Sequence, residues 1–134
     1  MRRLSLGGVL QRRYRRTRLI ERVRTVEQRQ SALAAAEAEA QRARLDAVSA
    51  KTRALATHYA SLTDATDAQS LRRSGAMSSQ LRDLSATAER HARDARNHSE
   101  ASLAVLAQTE RRRRRAEEDY RAAASTLRDK LAAR

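Results

Sequence analysis

Cysteine, proline, phenylalanine and tryptophan are absent from this sequence of 134 residues, and glycine occurs only three times. Without cysteine there is no disulfide scaffold, thiol nucleophile or thiolate metal site. Without proline, no helix is broken by a missing N–H and a ring clash. Large apolar side chains are also scarce, because 28 of the 54 hydrophobic residues are alanine. Fifteen leucines, five valines, one isoleucine, two methionines and three tyrosines remain to bury area. A compact domain of this length draws on several layers of large side chains, with aromatics supplying much of the area. These residues cannot build such a core. No apolar run approaches the ~20 residues that span a bilayer, so no transmembrane segment is expected.

What is present is helix-forming: Ala, Arg, Glu, Leu and Gln dominate, the composition of long helices or a coiled coil. The charge is strongly basic, a formal +13, and 27 of the 29 basic residues are arginine. Arginine favours bidentate pairing with carboxylate or phosphate over a simple point charge. Residues 1–30 carry ten arginines against two acids, and residues 110–134 carry nine basic groups against five. The stretch between them is close to neutral. Such a distribution fits an acidic partner (nucleic acid, an anionic membrane or an acidic protein surface) better than a uniformly solvated face.

The N-terminus does not read as a targeting address. Leu4 to Leu10 is interrupted by Gly7-Gly8 and runs into Arg12-Arg13, too short for a signal-peptide core. An arginine-rich transit peptide is the other candidate there. The helical pattern, however, continues unbroken past Glu21.

Apolar positions recur at Leu19, Val23, Val26, Gln30, Leu33, Glu37 and Ala40, steps of four and three that make a heptad seam with polar lapses. The seam resumes one residue out of phase at Leu45, Val48, Thr52, Leu55, Tyr59 and Leu62. Turn-forming residues follow in Thr63-Asp64-Ala65-Thr66-Asp67 and in Ser74-Gly75. A second seam runs through Met77, Leu81, Leu84, Ala88, His91 and Ala95. After a shift of phase it continues at Leu103, Leu106, Glu110, Arg113, Glu117, Tyr120, Ala124, Leu127 and Leu131.

The predicted fold is therefore all-α: one helical hairpin over 1–134, with a helix at about 9–62, a bend at about 63–75 and a helix at about 76–132. Folding back near mid-chain sets Leu62 against Met77, Leu33 against Leu106 and Leu19 against Tyr120, covering both stripes within one chain. Arms of about 55 residues at ~1.5 Å each predict a two-helix rod about 80 Å long. A parallel dimer of one bent helix would also cover both stripes.

Little in the chain suggests chemistry. His91 and His98 lie seven apart rather than four, and His58 falls far from both in the hairpin register, so no metal pair is expected. No glycine-rich phosphate loop occurs, and a two-helix hairpin offers no concave pocket to exclude water from a Ser-His-Asp set. The sequence argues against an enzyme, a cofactor and a small-molecule substrate. Nucleic-acid binding has support in Arg12-Arg13, Arg15-Arg16 and Arg111 to Arg115. A five-arginine run on a helix nevertheless points to every face, and few aromatics are available for stacking. Non-specific phosphate binding is the form it would take.

The opening Leu4-x-Leu6-x-x-Val9-Leu10 followed by Arg12-Arg13 resembles the start of the flagellar export protein FliJ family. The stretch Leu106-x-x-x-Glu110-Arg111-Arg112-Arg113, followed by Tyr120 and Leu127-x-Asp129-x-Leu131, is similar to that family's basic C-terminal helix. The resemblance implies a cytoplasmic hairpin, peripherally associated with the inner face of the cell membrane at a type III export apparatus. Flagellar and virulence-type secretion are both compatible with it. Such proteins insert paired terminal helices into the export ATPase hexamer, and bind the export gate and export chaperones. Carried onto this chain, the ATPase-facing residues would be Arg12, Arg13, Arg15, Arg16, Arg111, Arg112, Arg113, Arg114, Arg115 and Tyr120. The gate-facing residues would be Val48, Leu55, Tyr59, Leu81, Leu84 and His91.

Overall fold

The computed structural model describes residues 6–62 and 67–133. It contains two α-helices, α1 (Leu6–Ser61) and α2 (Ala68–Ala132), packed antiparallel as a helical hairpin. The chain divides into two compact units. Unit 1 comprises Met1–Ala35 with Ser102–Arg134, and unit 2 comprises Ala36–Ala101. Leu4 and the turn residues Thr63 to Thr66 lie outside the described residues.

The ends of the helices follow from local chemistry. Asp67 caps α2: the Ser70 N–H donates to its Oδ1 at 2.6 Å and the Leu71 N–H to its carbonyl at 3.1 Å. A side-chain acceptor there satisfies an N–H that the first helical turn leaves without a partner. The Ser70 backbone N–H contributes most to holding the Asp67 carboxyl below its ordinary value. The sequence places the second helix from about 76, but α2 begins at Ala68. Ser74-Gly75 lies inside it, and Gly75 has no positive φ. Without proline nearby, one glycine lowers helix propensity by only about 1 kcal/mol, too little to stop a helix that is already capped and packed.

The seam between the helices differs from the one traced through the large apolar residues. In α1 a seam of buried and half-buried positions runs through Leu10, Tyr14, Thr17, Glu21, Arg24, Gln28, Ser31, Ala35, Ala38, Arg42, Leu45, Ser49, Thr52, Ala56 and Tyr59, with Gly7, Gly8, Thr25, Glu27, Ala32 and Asp46 half-buried beside it. The steps of the seam alternate four and three throughout, so the expected slip of phase is absent. In α2 the same alternation runs without a slip through Ser74, Ser78, Leu81, Ser85, Ala88, Ala92, Ala95, Ser99, Ser102, Leu106, Thr109, Arg113, Ala116, Tyr120, Ala123, Leu127 and Lys130. Leu45, Thr52, Tyr59, Leu81, Ala88, Ala95, Leu106, Arg113, Tyr120 and Leu127 are shared with the sequence-derived seam. Leu19, Val23, Val26 and Leu33 are not: they are 63, 48, 51 and 67% exposed on the outward face of α1. Leu33 thus does not face Leu106, and Tyr120 meets Tyr14 rather than Leu19.

The physical reason lies in the size of the side chains. The most deeply buried residues are small (Ala35, Ala38, Ala92, Ala116, Ala123, Ser49 and Ser99), and they let helix backbones approach closely. Close approach replaces bulky knobs with many short dispersion contacts. A change of phase would unwind the supercoil locally, so one continuous frame of small residues is favoured over two frames of large ones. No buried side-chain nitrogen or oxygen among the described residues lacks a hydrogen bond, and Thr52 satisfies its hydroxyl by donating to the Ser49 carbonyl at 3.0 Å.

Candidate functional site

Taking seam positions as a and d of the heptad, the flanking e and g positions give unit 2 two unlike sides. On the e side, charged groups tie the helices together. Arg96 Nε meets Asp46 Oδ1 at 3.3 Å, Arg53 meets Glu89 at 3.7 Å, and the Ser99 hydroxyl donates to Glu39 Oε2 at 3.0 Å. Arg42, at a seam position, donates to both Glu39 and Asp46 and so links these contacts. Its guanidinium, and then Ser99, hold the Glu39 carboxyl below its ordinary value. The same bonding pushes the Arg42 pKa upward, Glu39 being the main cause.

On the g side, Gln41, His91 and His98 apart, the residues are apolar. Val48, Leu55 and Leu62 recur every seven residues on α1, and Met77, Leu84 and His91 do so on α2. In an antiparallel pair the g positions of the two helices share one flank, so the six residues line a single strip. Val48, Leu55, Leu62, Met77 and Leu84 are each 43 to 53% exposed, and His91 is exposed. Of the gate-facing candidates, Val48, Leu55, Leu84 and His91 lie on this strip. Tyr59 and Leu81 lie in the seam and are half-buried. The edge of Tyr59 is met by His58, with ring centroids 5.8 Å apart at 83°.

Unit 1 gathers the charge. It contains nineteen basic and seven acidic residues, against ten and nine in unit 2, so twelve of the thirteen net charges belong to it. At its seam Tyr14 and Tyr120 stack at a tilt of 38° with ring centroids 5.5 Å apart. Two shallow grooves flank the pair. One is lined by Tyr14, Arg15, Arg18, Arg22, Leu19 and Leu127, the other by Tyr120, Ala124, Leu127, Arg128 and Leu131.

The ten ATPase-facing candidates do not form one set. Arg12, Arg13, Arg15 and Arg16 are exposed on α1 and make no ion pair among the described residues. Arg12 does donate to the Gly8 carbonyl at 3.4 Å. Arg111, Arg112 and Arg115 are likewise exposed and unpaired among the described residues. Arg113 is drawn into the seam, donating to Glu110 at 2.9 Å and to Glu117 at 3.0 Å. Arg114 also reaches Glu110, at 3.3 Å, and Arg121 reaches Glu117 at 2.7 Å. Arg113 lowers the Glu110 pKa, and its own is raised in turn, Glu110 first and Glu117 second among the partners. Tyr120 is occupied with Tyr14. Glu110 and Glu117 were legible as helical i, i+3 and i, i+4 partners of Arg113. Tyr14 was not, because its partner is set only by the packing of α1 on α2.

Among the described residues, no three His, Asp or Glu side chains cluster to hold a metal ion, and no helix is long and apolar enough to cross a membrane. The arrangement offers surfaces for binding: a set of unpaired guanidinium groups in unit 1 and an apolar strip in unit 2. No family model matches the chain, nor does any curated protein or solved structure.

Proposed function

We propose that this chain is a non-enzymatic stalk component of a flagellar or virulence-type protein export apparatus. It works in the cytoplasm at the inner face of the cell membrane. The terminal halves of the helices enter the opening of the export ATPase hexamer, where Arg12, Arg13, Arg15, Arg16, Arg111, Arg112 and Arg115 meet acidic groups. The apolar strip beside the bend, centred on Leu55 and Leu84, binds the export gate and chaperones. The observation that carries the proposal is the division of labour along the chain. Nearly all the net charge belongs to unit 1, while unit 2 is close to neutral and carries half-exposed apolar residues on one flank. The antiparallel hairpin, common to the family that the sequence resembles, is consistent with it.

The exposed arginines without ion pairs among the described residues of unit 1, these seven together with Arg18, Arg22, Arg29 and Arg128, favour one other reading, non-specific binding of nucleic acid. The two differ in how arginines contribute. Against a protein ring, a few positions make charge-assisted bonds of about 1.5–3 kcal/mol each. Against a polyanion, all act interchangeably through counterion release, and affinity falls linearly on a log–log salt plot. The test is a single-arginine scan with binding to the export ATPase and to duplex DNA measured at several salt concentrations. Strong losses at a few positions for the ATPase, with a flat profile for DNA, support the stalk. Flat profiles for both, with tighter DNA binding at physiological salt, would overturn it.

A further inference from the structure

α1 carries two heptad stripes, and the hairpin uses only one. The second comprises Leu19, Val23, Val26, Gln30 and Leu33 on the outward face, opposite the seam. Its four apolar members are 48 to 67% exposed, and their steps of four and three make a complete second frame for helix packing. We infer that this stripe is a self-association surface through which α1 pairs in parallel with α1 of a second copy of the chain.

Two features of the stripe select that occupant. The first is its own pattern. In this frame Leu19, Val26 and Leu33 take the d positions and Val23 and Gln30 the a positions. Val23 at a between Leu19 and Leu33 at d follows the pattern that favours two parallel strands, Val26 being the one d residue that departs from it, and the single polar a residue, Gln30, restricts the register. The second is charge. Arg22 precedes Val23 and Glu27 follows Val26, so they flank the stripe on opposite sides. Parallel pairing in register sets Arg22 of each copy beside Glu27 of the other. Antiparallel pairing would set Arg22 against Arg29 instead. Glu27 receives Arg24 at 3.0 Å on Oε2, and its other oxygen takes no bond among the described residues. Charge also limits the stripe. Arg16 and Arg12 occupy its next positions on one side and Glu37 on the other, and each would face its own counterpart. The pairing is therefore confined to about two heptads, which makes it weak and concentration-dependent.

Because Val23, Val26 and Leu33 lie opposite the hairpin seam, they can be altered without touching the fold, and the inference stands apart from the proposed function. Sedimentation equilibrium of the full chain, up to roughly millimolar concentration, should show a reversible dimer. Val23→Asp should abolish it with helicity and melting of the dilute chain unchanged, whereas Leu55→Ser on the unit 2 strip should leave it intact. Glu27→Lys should weaken it about tenfold or more, since two attractions become two repulsions. Adding Arg22→Glu to that variant should restore it. Orientation is read from disulfides, as the chain has no cysteine of its own. Leu33→Cys should cross-link to itself faster than a control at exposed Arg112→Cys. In an antiparallel pair centred on Val26 the two introduced thiols would stand about 20 Å apart, beyond bridging. A chain that stays monomeric, a dimer dissolved by Leu55→Ser but not by Val23→Asp, or a Leu33→Cys variant that bridges no faster than the control would each overturn the inference.

Discussion

The phenol oxygens of Tyr14 and Tyr120 stand 3.3 Å apart, although the residues are 106 positions apart in the chain. Either hydroxyl can donate, and the pair is the only aromatic contact between α1 and α2 among the described residues. Whichever phenol ionises first gains a bond from the remaining O–H. Tyr14 is lowered for that reason, with Arg18 adding to the effect, while Tyr120 is raised chiefly by the phenolate beside it. Ultraviolet titration should therefore resolve a step below and a step above the ordinary tyrosine value. Tyr14's contribution to stability is present above its unfolded value of about 10, while Tyr120's is present below that value and lost as pH rises through its raised folded one. Tyr120→Phe should return Tyr14 toward the ordinary value, and an unchanged titration would show that the hydroxyls do not interact in solution.

The seam of small residues makes a sharp contrast between two helix positions. Ala92 is wholly buried, and Leu33 is the most exposed large residue of the outward stripe. Ala92→Leu should destabilise the chain by about 1–3 kcal/mol through overpacking. Leu33→Ala should change the stability of the dilute chain by no more than about 0.5 kcal/mol. Chemical denaturation of both variants checks this, and the reverse order would mean that the helices pack through the large residues.

The start of α2 yields two opposite effects. An added Cβ at Gly75 would meet nothing within 4 Å, and the residue is helical without a positive φ. Gly75→Ala should stabilise by about 0.5–1 kcal/mol, mainly by restricting the unfolded chain. Asp67→Ala should lower the melting temperature by removing the cap. Asp67's folded pKa is depressed, so its contribution is present above the unfolded value of 3.8 and is lost as pH falls through the lower folded value. The melting difference between wild type and Asp67→Ala should accordingly vanish in strong acid, which thermal melts across that range will show.

The apolar strip separates binding from folding. Leu55 and Leu84 are about half exposed on the g flank, whereas Tyr59 and Leu81 are seam residues. Leu55→Ser with Leu84→Ser should weaken binding to a gate or chaperone partner roughly five- to thirtyfold, the scale of one anchoring contact. Helicity should stay near that of the wild type. Tyr59→Ala should instead lower the melting temperature, and a loss of binding that merely tracks lost helix would remove the strip from consideration.

Two antiparallel helices were legible in the sequence because the relevant physics is local. No proline interrupts either arm, alanine and arginine favour helix, and turn residues cluster near mid-chain. The segregation of charge was equally legible, since it is a property of composition along the chain. Which face of α1 is buried was not. Residues 10–33 carry two heptad frames, and hydrophobicity alone prefers Leu19, Val23, Val26 and Leu33 over Leu10, Tyr14, Thr17 and Glu21. The choice depends on α2, whose seam within the same unit runs through Ser102, Thr109, Ala116 and Ala123, small residues that accept a close neighbour. Local pattern therefore determined that there are two helices and where the charge lies. Only tertiary packing decided that Tyr14 meets Tyr120, that Arg113 is withdrawn from its arginine run, and that the largest apolar side chains of α1 are left facing outward.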